Sequence, residues 1–266
     1  MTMILPHAAE SLHWYWPDGR PAYEVPGAKG QPVNPDIRHA RKLGLVPSVT
    51  TILRVLAAPA LERWKREQYA LAALTLPRLA DETDAAFLKR LDADAQAWTR
   101  QRADDGTALH AAIEQEARGE AFDPRFAPHV ARVKEALSKL PPSFVGDFKS
   151  KDTFEGKDRA RLFYDEHVMQ LAAYRRGFPT ELPCPITFAQ AFAHPDGYGG
   201  RIDVLRGQIE PDTPLVSIMI AIEPADIEVK VWTTDEARRG LALFQCALQL
   251  WKLKNRVGDL PVAPTR

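Results

Sequence analysis

Apolar positions in the first half of the chain recur at three- and four-residue intervals, whereas in the second half they alternate or run together. The two periods predict helices first and strands later. Pro47-Ser48-Val49-Thr50-Thr51-Ile52-Leu53 reads as a helix entry capped by Ser48 and running on through Leu61, Trp64 and Gln68. Residues 69–102 are Ala-rich, with Phe87, Leu88, Leu91, Ala95 and Trp98 at helical spacing. A separate helix is expected after Gly106-Thr107, with Leu109, Ala112 and Ile113 on its apolar side, and another over 126–139, stopped by Pro141-Pro142. Beyond these prolines the pattern predicts a strand over 144–149 and a helix over 163–176. Strands are then expected over 186–192 and 202–205, about the turn Pro195-Asp196-Gly197. A hairpin of 218–222 with 227–232 and a long closing helix over 235–255 complete the series.

Residues 1–46 are rich in Pro, Gly and aromatics, and 13–19 predicts a hairpin turning at Pro17-Asp18-Gly19. The element order predicts an α/β fold with a helical N-terminal part. An N-terminal extension covers 1–46 and a single domain 47–266, helical over 47–140 and sheet-rich over 141–266.

Composition narrows this little. The chain has 266 residues, and 35 Lys plus Arg balance 35 Asp plus Glu, so any nucleic-acid surface must come from local clustering of basic residues. The two cysteines, Cys184 and Cys246, cannot by themselves build a four-thiolate zinc site or an iron–sulfur cluster; one disulfide is possible, and a reduced chain is the better reading. No apolar run approaches a bilayer span and no signal pattern opens the chain, which gives a cytoplasmic expectation without a membrane partner.

Four segments carry chemistry. Asp147 and Lys149 lie two apart on an expected strand, so they share a face and set a potential metal ligand beside a cation, the combination that phosphodiester hydrolysis uses. Gln170 and Tyr174 sit on the helix that follows. His110 and Glu114, four apart, share a helical face. Asp203 stands in Gly197-Tyr198-Gly199-Gly200-Arg201-Ile202-Asp203, on an otherwise apolar strand, where a carboxylate must be exposed, paired or metal-bound. Arg159, Arg161, Arg175 and Arg176 flank the Asp147 region and could track a phosphate backbone, and the amides opened by the Ser48 cap could hold a phosphate.

Together, PSVTTIL, GTALHAAIE, DFKSK, YDEHVMQLAAY and GYGGRID resemble blocks of the PD-(D/E)xK nuclease superfamily, in particular its RecB-like exonucleases of phage and prophage type. The resemblance implies a restriction-endonuclease-like mixed central sheet flanked by helices and a metal-dependent DNA exonuclease, with DNA ends as substrate and a possible recombination protein as partner. It implies Asp147, Asp203 and His110 as ligands of Mg²⁺ or Mn²⁺, and Lys149 as the residue that positions or activates the attacking water. It further implies Gln170 and Tyr174 as support from the helix, and Ser48 and Thr50 as DNA-backbone contacts, with Arg175 and Arg176 alongside. The GxxD and DxK blocks stand in the reverse of the family's order. The acid that the family places before its GxxD turn is replaced by Ala189-Gln190-Ala191, a duty that Glu114 could share.

A second acid-x-lysine, Glu228-Val229-Lys230, follows Asp203 in the family's order and is the alternative site; its alternating charges read as an exposed hairpin strand. The expected activity is hydrolysis of DNA. The alternatives are a decayed nuclease fold that binds DNA without cutting it, and an unrelated metal-binding structural protein.

Overall fold

The structure, a computed structural model, describes residues 14–16, 22–57, 59–141, 144–175 and 212–257. The expected strands over 186–192 and 202–205, the turn at 17–19, Cys184, Arg176 and Asp203 lie outside the described residues.

The fold is mixed α/β, organised on a three-stranded sheet of β5 (Val145–Lys151), β6 (Leu215–Ala221) and β7 (Asp226–Trp232), in the order β5-β6-β7. β6 runs parallel to β5 and antiparallel to β7. Every residue of β6 is buried, which explains its near-continuous apolar sequence, since a strand covered on both faces has no reason to alternate. Its one polar side chain, Ser217, accepts a hydrogen bond from Trp232 Nε1 at 2.9 Å.

Two helical layers cover the two faces. On one, Phe148, Val216, Ile218, Ile220, Ile227 and Val229 pack against α4 (Asp84–Ala117) and α5 (Ala127–Leu137) through Leu109, Ile113, Val130 and Val133. On the other, Val145, Leu215 and Trp232 meet α6 (Asp165–Arg175) and the closing helix α7 (Thr234–Asn255). α6 lies in the crossover that a parallel β5/β6 pair requires. Its residues Val168 to Ala173 are buried without a break, so this stretch is covered on all sides by the sheet, α7 and the N-terminal elements, while Asp165 and Glu166 of the first turn are exposed.

The N-terminal elements are β1 (Trp14–Tyr15), β2 (Val25–Pro26), β3 (Pro32–Val33), α1 (Ile37–Leu43), β4 (Val46–Pro47) and α2 (Val49–Leu53). They share one apolar cluster with Met169, Phe244 and Trp251. β1 pairs with β4, some thirty residues on, and the Trp14 carbonyl also accepts from the Ala22 amide at 2.8 Å.

Three expectations about helices change. The helix entered at Ser48 stops after Leu53, and α3 (Pro59–Thr75) starts afresh. Pro59 has no amide to donate and its ring would strike the carbonyl four residues back, so it serves as a helix start and not as an interior residue. The chain breaks again between α3 and the Thr83 cap of α4, and α4 then runs through Gly106 without interruption. A helical glycine costs only about 1 kcal/mol relative to alanine. Here its missing Cβ has a use: a Cβ at Gly106 would lie 2.6 Å from Ser150 Oγ of β5. Among the described residues no helix is long and apolar enough to cross a membrane.

The α6–α7 contact rests on a similar close approach. A Cβ at Gly240 would stand 3.0 Å from the carbonyl carbon, the carbonyl oxygen and Cγ1 of Val168. Gly240→Ala gains up to about 1 kcal/mol of helix propensity but presses on backbone that cannot rotate away, at a cost of about 1–3 kcal/mol. The expected result is a lower thermal midpoint, measured by circular dichroism. A midpoint raised by the substitution would show that the two helices are not packed this tightly.

Candidate active site at the edge of β5

Among the described residues β5 has a neighbour on one side only, so its side chains at 147, 149 and 151 stand at the rim of the sheet, on the α6 face. Asp147 Oδ2 and Lys149 Nζ are 2.6 Å apart, with about a fifth of the aspartate and a third of the lysine side chain exposed. This is a charge contact rather than an aligned hydrogen bond: Oδ2 is buried, and no hydrogen bond reaches it. The lysine's directional bond goes elsewhere, from Nζ to Gln170 Oε1 at 3.0 Å.

Gln170 is 7% exposed, a polar side chain within the stretch of α6 that is buried on every side. Leaving its amide unsatisfied there would cost about 1–3 kcal/mol, and both of its ends are used. The oxygen takes the Lys149 ammonium and Nε2 donates to the Tyr174 hydroxyl at 2.5 Å. Tyr174 lies one turn along the same face of α6. Its phenol is held neutral chiefly by burial and further by the negative charge of Asp147, and Tyr15 of β1 acts in the same direction. Asp147, Lys149, Gln170 and Tyr174 thus form one connected row, joining the edge strand to the buried helix and, through Tyr15, to the N-terminal ribbon.

Two histidines border the row. His110 lies one turn beyond Gly106, where α4 crosses β5 at close range. Its residue surface stays open to solvent, yet the protein packed round the ring lowers its pKa; Asp147 pulls the value up and Lys149 pushes it down, so both charges act on the ring. His167, three residues before Gln170 on α6, is pushed down to about 4, by burial first and then by the Lys149 cation, against the pull of Asp147. Its Nδ1 accepts from the Tyr164 amide at 3.4 Å, which also requires a neutral ring.

The remaining expected residues fall elsewhere. Glu114 pairs with Arg118 at 2.9 Å, and burial raises its pKa. Ser48 is buried and its hydroxyl caps α2 by accepting from the Thr51 amide, while Thr50 beside it is exposed. Arg175 donates to the Thr213 carbonyl at 2.9 Å, tying the end of α6 to the approach of β6. In the alternative pair, Glu228 binds Arg159 at 3.1 Å, and Lys230 binds Glu236 at 2.7 Å and lies over the Trp232 ring. Both Glu228 and Lys230 are engaged in ion pairs that hold β7 to its surroundings.

Sequence reasoning passed over His167, Lys151 and Tyr15. The first two had a usable signal: His167 shares the Gln170–Tyr174 stripe at helical spacing, and Lys151 continues the period-two row from Asp147. Tyr15 lies on β1, whose pairing with β4 is long-range and is announced by no local pattern.

Comparison with family models, with curated proteins and with solved structures finds no match to this chain. The reading of the site therefore rests on its own geometry.

The depressed His167 pKa makes stability depend on pH in a definite direction. The unfolded chain takes up this proton near pH 6.5 and the folded protein near pH 4, so stability is full above 6.5 and falls as pH drops through that window. With EDTA present, urea unfolding should show up to about 3 kcal/mol of loss between these limits from this residue. His167→Gln should flatten that part of the curve. Identical pH profiles for the two proteins would show that the ring protonates freely in the fold.

Proposed function

We propose that the chain is a metal-dependent deoxyribonuclease with a restriction-endonuclease-like core, acting on DNA ends by hydrolysis of phosphodiester bonds. What supports this reading above all is the joining of Asp147 and Lys149 on β5, an edge strand among the described residues, with the lysine steered from behind by Gln170.

Among the described residues no group of three His, Cys, Asp or Glu side chains is placed to hold a metal ion, and Asp203 lies outside them. Two donors nevertheless suit a divalent ion. Asp147 carries a buried oxygen that no hydrogen bond satisfies, and His110 has its pKa lowered, which favours the neutral imidazole that a metal needs. Asp147 and His110, with Asp203 as the third, would hold Mg²⁺ or Mn²⁺, which when bound supplies charge neutralisation at the phosphate and a water of lowered pKa.

The chain's own residues do the rest. Lys149 stands beside the metal-ligating carboxylate as a donor for the attacking water or a phosphate oxygen. Gln170 holds the lysine to that direction, because its oxygen accepts from Nζ, and Tyr174 fixes the amide in turn. An ammonium held in place this way stabilises charge that grows as water adds to phosphorus, and it need not reorganise during the reaction.

Labelled single- and double-stranded DNA incubated with Mg²⁺, Mn²⁺ or EDTA tests the reading. Metal-dependent loss of DNA from its ends is expected. Asp147→Asn should abolish it together with metal binding, whereas Lys149→Ala should keep metal binding and lower kcat by about 10²-fold or more. DNA retained intact with every metal would leave a DNA-binding module on a nuclease-like fold. Cleavage by Lys149→Ala at the wild-type rate would remove the lysine from the mechanism.

A further inference from the structure

The row of charges on β5 does not stop at Lys149. Lys151 follows on the same face, about 6.7 Å further along the strand, a step comparable to that between successive phosphates of an extended nucleic-acid strand. Its Nζ donates to the Tyr164 hydroxyl at 2.9 Å and lies 5.0 Å from the centre of that ring. Tyr164 immediately precedes α6 and is 49% exposed. The His167 ring packs against it at 5.4 Å and 65°, close to edge-on. Lys151 and His167 thus fix the tyrosine's position while about half of it stays open to solvent.

We propose that Tyr164 and Lys151 form a single-strand subsite next to the reaction centre, with the open tyrosine surface stacking an unpaired base and the Lys151 ammonium taking the adjacent phosphate. This inference rests on the nuclease reading of Asp147 and Lys149 and adds the substrate class: a single-stranded or frayed DNA end rather than an intact duplex. A base can lie flat on an aromatic ring only when it has left its pair, and stacking of this kind tolerates any sequence because every base has a flat face. A ring already held by two neighbours loses little freedom when the base arrives, so most of the contact energy appears as affinity. Lys151 lies beside Lys149 on the same strand face, so a strand bound at Tyr164 would carry its neighbouring phosphodiester towards Lys149.

The test is equilibrium binding of the full-length protein to fluorescein-labelled oligodeoxynucleotides in EDTA, where no cleavage interferes. Wild type should prefer a single strand to the blunt duplex of the same length. Tyr164→Ala should weaken single-strand binding by about tenfold or more, while Tyr164→Trp restores it. An abasic site moved along the oligonucleotide should weaken wild-type binding at one position and cause no further loss in Tyr164→Ala. The position of the wild-type abasic effect is read on wild-type protein alone and does not depend on how the variants fold. Lys151→Gln should reduce the slope of log affinity against log salt by about one. Wild-type affinity in Tyr164→Ala, an abasic effect with no preferred position, or equal binding of duplex and single strand would each overturn the subsite, as would a wild-type protein that binds no DNA. If single strands bind through Tyr164 but no metal produces cleavage, the hydrolase reading fails and the subsite stands. If DNA is cut and Tyr164→Ala both binds and cuts as wild type does, the subsite fails and the hydrolase reading stands.

Discussion

The constraint on which the rest depends is the enclosure of the middle of α6. The sheet, α7 and the N-terminal cluster bury Val168 to Ala173 on every side, so a polar side chain among them must find partners within the protein. Gln170 finds Lys149 on one side and Tyr174 on the other. The geometry of the β5 edge is thereby set from the interior. The position of a half-exposed lysine depends on a buried amide, and that amide is held in place by the packing of α6 against α7 at Gly240. Packing and chemistry are one problem in this region, because the same helix serves both.

The electrostatics follow from that enclosure. Low solvent access lowers the His167 pKa and raises that of Tyr174, leaving Asp147, Lys149 and Lys151 as the charges on this stretch of strand. One acid and two bases in a line, bordered by neutral rings, form a short gradient along the strand. The second acid-x-lysine, on β7, is bound up in ion pairs with Arg159 and Glu236 and shows no comparable gradient.

Much of the sheet half was legible in the sequence. The apolar run of β6, the alternation of β7 and the helical spacing of α7 are local signals, and each element lies within a few residues of its expected place. The helical half was harder, because its breaks depend on context. Pro59 starts a helix where the apolar period ran straight through, and Gly106 sits inside one where a boundary was expected, its bare backbone lying close against the Ser150 hydroxyl. Of the site, Asp147, Lys149, Gln170 and Tyr174 were readable as a set and are in contact. The burial of Gln170 was not readable, because residues around the whole circumference of α6 meet partners distant in sequence. Asp203, on which the two-acid reading leaned, lies outside the described residues.

α4 has a consequence that reaches beyond its packing. Its 34 residues make a rod about 50 Å long. The far end, hairpinned with α3, is tied by the Arg90–Glu82 ion pair and a hydrogen bond from Tyr69 to Asp92, while Leu71, Leu74 and Leu88 stay uncovered. The near end carries His110 to the rim of β5. One unbroken helix thus joins the outer hairpin to the imidazole at the site, and its close approach to the strand falls at Gly106.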